Sequence, residues 1–72
     1  MSTTVSRYST KHGRIEYAYE NRLGAMVATR TLVAGQGWTV RLYAGPDDWE
    51  MWGGLPEFRA ERMCLQHVEA MS

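Results

Sequence analysis

A lone cysteine, Cys64, leaves this chain without an internal disulfide. No apolar run approaches the roughly 20 residues of a membrane-spanning helix. The opening MSTTVSRYSTKHGR lacks the apolar centre of a signal peptide, so cytoplasmic residence and no membrane contact are expected. Repeats, low-complexity runs and linkers are absent. Chemistry is equally scarce. Gly35-x-Gly37 and Gly53-Gly54 lack the spacing, the following lysine and the strand-loop-helix setting of a phosphate loop. Cys64 and His67 stand three apart, which on a helix suits a shared metal or a thiol–imidazole pair, but zinc needs two more ligands and only distant His12 is of that kind. A buried structural cysteine beside a rim histidine is the simpler expectation. Asp47 and Asp48 follow a proline and read as turn residues. Neither a cofactor nor an enzymatic activity is expected.

What remains is 72 residues of zero formal charge. That length makes one domain, at the size where a single hydrophobic core is only marginally sufficient and help from a partner is common. The charge is unevenly spread. Residues 1–44 hold six cations against Glu16 and Glu20, whereas residues 45–72 hold Arg59 and Arg62 against six acids. Such asymmetry marks either a basic face for an acidic partner or two halves that attract one another. Seven of the eight cations are arginine, which favours stacked or bidentate contacts over simple solvation.

Glycine punctuates the chain at hairpin intervals. Residues 4–10 are polar and read as a weak edge strand, followed by the loop Lys11-His12-Gly13. Residues 14–20 alternate cleanly, with Ile15, Tyr17 and Tyr19 on one face. Arg22-Leu23-Gly24 reads as a three-residue loop, and residues 25–33 as the next strand. A two-residue Gly35-Gln36 turn leads to residues 38–44, where Trp38, Val40, Leu42 and Ala44 point one way. Pro46 sets another turn before a short strand at 49–53. Pro56 suits a first helical position, and residues 56–71 follow as an amphipathic helix. Its apolar arc is read as Phe58, Ala60, Cys64, Leu65, Val68 and Met71, with Glu57 and Glu61 favourably placed near the helix N-terminus. The expected fold is α+β, an antiparallel meander of four to five strands with one C-terminal helix packed on one face.

These loops imply a register in which Val5 faces Tyr19, Glu16 faces Arg30, Arg30 faces Arg41 and Arg41 faces Trp52. Val27, Thr29, Trp49 and Met51 then point inward, so Trp38 and Trp49 belong to the core rather than to an aromatic cage. The other face, left open by a single helix, carries Arg30, Arg41, Tyr43, Glu50 and Trp52, with Asp47 and Asp48 on the adjoining turn. Arg41 beside Trp52 forms a cation–π pair, while Arg30 opposite Arg41 is repulsive unless an anion joins them. Exposed Trp and Tyr beside Arg have the composition of interface hot spots, which makes this face the candidate site.

Residues 25–71, through Gly37-Trp38-Thr39-Val40-Arg41 and the helix from Phe58 to Ala70, resemble the three-strand-plus-helix DNA-binding domains of the AP2 and integrase arm-binding type. That resemblance implies a sheet entering the major groove, with Arg30 and Arg41 reading bases and Thr39 on the backbone. In size and style, taken as complete from Met1 to a helix near its end, the chain also resembles the compact proteins that phages and mobile elements use to block host machinery, anti-CRISPR proteins among them. The preferred expectation is a non-catalytic protein-binding module that occludes a functional surface of a host nucleic-acid-handling complex. DNA binding stands second and a homodimeric structural protein third.

Overall fold

The computed structural model describes residues 4–9 and 12–71. Five strands, β1 (Thr4–Ser9), β2 (Ile15–Glu20), β3 (Met26–Val33), β4 (Gly37–Gly45) and β5 (Asp48–Leu55), precede one helix, α1 (Glu57–Ala70). The strands form an antiparallel meander in chain order. Helix α1 packs against β2, β3 and β4, and the fold is the expected α+β. Thr10 and Lys11, expected in the first strand and its loop, lie outside the described residues. Among those described, no helix is long and apolar enough to cross a membrane.

Register departs from expectation in three of the four hairpins. Val5 does face Tyr19, but Tyr17 faces Arg30, Arg30 faces Val40, Thr29 faces Arg41, and Arg41 faces Met51. The cause lies in the loops. Asn21 organises the β2–β3 connection: its N–H donates to the Ala25 carbonyl at 2.9 Å, and its Oδ1 accepts from the amides of Leu23 and Ala25 at 2.9 and 3.1 Å. The longer loop ends in a bulge. Glu20 pairs with Met26 and Tyr19 with Ala28, so Val27 is the extra residue. Between β3 and β4 the pairing of Val33 with Gly37 encloses three residues, with Gly35 at φ 74° and Gly37 at φ 78°. This is a three-residue hairpin loop and not the two-residue turn read from the sequence.

Because side chains alternate along a strand, each one-residue slip inverts a face. The first two slips cancel at β4, so Trp38, Val40 and Leu42 still face α1. Strand β3 is inverted, placing Ala28, Arg30 and Leu32 on the helix side. A third slip inverts β5, placing Glu50 and Trp52 on the helix side and turning Trp49 and Met51 to the open one.

The core is assembled from Tyr19, Val27, Ala28, Trp38 and Val40 of the sheet with Ala60, Cys64 and Val68 of the helix. Ala60, Cys64 and Val68 recur every four residues, a stripe of small side chains that lets α1 approach a sheet bearing Tyr and Trp. Phe58 and Leu65, expected in the buried arc, are exposed. At 100° per residue they lie about 120° and 100° from the centre of that stripe, on one flank of the helix. The bulk between the layers comes from the sheet, and a large residue on the inner helix face has nowhere to go. Pro56 caps the helix with extended dihedrals, and its carbonyl accepts from the amides of Arg59 and Ala60 at 3.1 Å each.

Candidate binding surface

Arg30 is the largest correction. Expected on the open face, it lies beneath α1 at 4 % exposure. Its guanidinium stacks between the rings of Tyr17 and Trp38, 4.0 and 4.5 Å from their centroids. Its Nε donates to the Tyr19 hydroxyl at 2.7 Å and its Nη1 to Glu57 Oε2 at 3.2 Å. Glu57 has a side chain 62 % exposed, so solvent screens that ion pair, and the rings and the hydroxyl carry more of the anchoring. Burial pulls the Arg30 pKa down, but Tyr19 and Glu57 outweigh it and the net shift is upward. Burial pushes the Tyr19 pKa up, against the opposing pull of Arg30. Arg30 is a permanently charged part of the core.

The open face retains Arg41 and Tyr43 from β4. Trp49 and Met51 of β5 join them in place of Glu50 and Trp52. The Arg41 guanidinium lies 5.4 Å from the Trp49 ring centroid, and the rings of Tyr43 and Trp49 stand 6.1 Å apart at 41°. Trp49 is 46 % and Met51 54 % exposed. Next to this cluster a shallow depression is lined by Arg14, Glu16, Thr31, Thr39, Arg41 and Met51. Within it the Thr31 hydroxyl donates to Glu16 Oε2 at 3.3 Å. The face is therefore aromatic and sulfur-bearing along β4 and β5, and polar toward β2 and β3.

Glu50 and Trp52 occupy the opposite side of β5. Trp52 is still 38 % exposed, because α1 packs on β2, β3 and β4. Pro46 and Asp47 make the turn between Gly45 and Asp48, leaving Asp47 and Asp48 exposed at the rim. Trp49 and Met51 escaped the sequence reading because Trp49-x-Met51 and Glu50-x-Trp52 each place one tryptophan and one other residue on a face. Only the bulges in the β4–β5 pairing distinguish the two.

Cys64 is buried and burial pushes its thiol up to about 12, so it is protonated and inert near neutrality. His67 turns its ring to the chain itself, with Nε2 donating to the Tyr43 carbonyl at 2.7 Å. No three metal-ligating side chains cluster among the described residues. Comparison of the chain with protein-family profiles, with curated proteins and with solved structures finds no match.

Proposed function

We propose that this chain is a non-catalytic protein-binding module docking through the open face of its sheet. One observation carries the reading: exposed Arg41, Trp49 and Met51, with half-buried Tyr43, form a contiguous cluster on the side of the sheet away from its helix. Tryptophan, tyrosine, arginine and methionine are enriched in interface cores, where large rigid rings bury much area at little entropic cost. Asp47 and Asp48 add an acidic rim. In the mechanism that the likeness to phage-encoded inhibitors suggests, this face covers a surface that a host nucleic-acid-handling complex needs.

DNA binding loses support from Arg30. Of the two arginines that the AP2-type resemblance would use as base readers, one is held in the core. The neutral net charge offers little for the phosphate contacts that dominate affinity for nucleic acid.

The test is affinity purification with the wild-type chain alongside Arg41→Ala and Trp49→Ala, each first shown to unfold as cooperatively as wild type. The expected result is a defined partner retained by wild type and lost with either substitution. Equal recovery by all three would overturn the assignment of the face. Salt-sensitive retention of duplex DNA, abolished by Arg41→Ala, would establish the DNA-binding reading instead.

A further inference from the structure

The meander ends at β5, and that strand is exposed along nearly its whole length. It carries large apolar residues on both sides, Trp49 and Met51 toward the open face and Trp52 toward the helix side. A terminal strand offers unpaired backbone donors and acceptors to another strand. We propose that β5 pairs antiparallel with β5 of a second copy, joining two sheets into one, with Met51 at the two-fold axis.

The pattern of residues selects both the occupant and the register. In a two-fold antiparallel pair, opposite residues share a face, so the symmetric registers differ in steps of two. Centred on Glu50, the pair sets two carboxylates directly against each other, which is destabilising. Centred on Trp52, it needs Leu55 beyond Gly54, whose φ of 68° breaks the extended run. Centred on Met51, it sets Met51 against Met51, Glu50 against Trp52, and Trp49 against Gly53. A Cβ added at Gly53 would meet only the Thr39 hydroxyl at 3.8 Å, so that position has room for an indole laid across it. An aromatic ring opposite a strand glycine restores the packing that the glycine lacks. No acid stands opposite another acid in this register, although Asp48 and Glu50 both lie in the strand.

Such a contact is an edge pairing of a few residues, smaller than a standard interface of roughly 1,200–2,000 Å². It is therefore concentration-dependent. It leaves Arg41 and Tyr43 uncovered and sets the two open faces side by side; Trp49 and Met51 belong to both the seam and the binding cluster, so self-association and partner binding are read by separate measurements.

Sedimentation equilibrium over a concentration series reads the association directly, with a monomer–dimer equilibrium expected. Met51→Lys places two ammonium groups opposite each other at the axis and is expected to weaken dimerisation roughly tenfold or more. Register is tested by cysteine substitution: opposite Cα atoms in an antiparallel pair lie about 4.5–5.5 Å apart, within disulfide reach. Under mild oxidation Met51→Cys should cross-link to a disulfide dimer, while Glu50→Cys and Trp52→Cys should not. Buried Cys64 is a silent background in all three. A wild-type chain that stays monomeric throughout the series would overturn the proposal. So would a dimer that cross-links no better through Met51→Cys than through its neighbours, or one that resists Met51→Lys and is abolished by Phe58→Glu.

Discussion

The Nε of Arg30 donates to the hydroxyl of Tyr19 at 2.7 Å in the layer between sheet and helix. This places a full charge in the core, with two rings and one hydroxyl as its nearest solvent. Removing either partner strands the other. Arg30→Met leaves the Tyr19 hydroxyl without its donor, and Tyr19→Phe leaves a buried guanidinium N–H unmatched; each is expected to cost about 1–3 kcal/mol. The double substitution should cost distinctly less than the sum, because both polar groups leave together. Urea denaturation of the four proteins measures the coupling, and simple additivity would show that the bond contributes nothing specific.

Asn21 is 6 % exposed and ties two segments together. Beyond its two loop bonds, its Nδ2 donates to the Met71 carbonyl at 3.2 Å, joining the β2–β3 loop to the end of α1. Asn21→Ala is expected to cost about 1–3 kcal/mol. Asn21→Asp keeps the acceptor for the Leu23 and Ala25 amides but turns a charged, largely buried carboxylate oxygen toward the Met71 carbonyl, so it should cost at least as much as Asn21→Ala. Chemical denaturation of both variants at pH 7 would reject this account if Asn21→Asp were clearly the milder of the two.

Gly35 and Gly37 separate two costs within one loop. Both have positive φ, which an alanine tolerates at roughly 1–2 kcal/mol. At Gly35 an added Cβ meets open space, whereas at Gly37 it would come within 3.1 Å of the Leu55 carbonyl oxygen. Gly37→Ala should therefore be the more destabilising by thermal melting, and equal losses would argue that the close approach to β5 relaxes freely.

Alkaline pH should weaken the fold through Cys64. Its thiol has an ordinary value of 9.0 and is held at about 12 by burial. Below pH 9 folded and unfolded chains both keep the proton. Between 9 and 12 the unfolded chain releases it while the folded chain does not, so the unfolded state binds fewer protons and stability falls as pH rises. Tyr19, raised above its ordinary 10.0, acts in the same direction. Cys64→Ala should start about 1 kcal/mol less stable at pH 7, from lost packing, and show a shallower decline above pH 9. Urea midpoints between pH 7 and 10.5 follow both effects, and parallel curves for the two proteins would remove Cys64 as a cause.

Alternation makes β2 and β4 legible in the sequence alone. Ile15, Tyr17 and Tyr19, or Trp38, Val40 and Leu42, leave one choice of inward face. Strand β3 has no such pattern: Val27, Thr29 and Thr31 compete with Ala28, Arg30 and Leu32, and neither set is plainly polar. Its face was left to the loops, and those depend on an Asn21 side chain and a positive-φ Gly37 that equally ordinary turns could have explained. The same ambiguity moved half of the candidate site. Arg41 and Tyr43 sit on a strand whose face alternation defined. Arg30, Glu50 and Trp52 sit on the two strands whose faces it did not.

Since the first two register slips cancel at β4, a second pairing of the same strands can be drawn that keeps most faces in place. Slipping both of those loops together leaves β1, β2 and β4 facing as they do now and turns β3 over. In that second pairing, Arg30 leaves its slot between Tyr17 and Trp38 and meets Arg41 side by side. The slot that Arg30 fills between Tyr17 and Trp38 thus adds to the Asn21 and Gly37 loops in separating the two ways of closing the same hairpins. An Arg30→Leu chain is expected to populate both, read as doubled amide resonances for β3 and a slow exchange phase on refolding; a single sharp set would show that the loops alone decide.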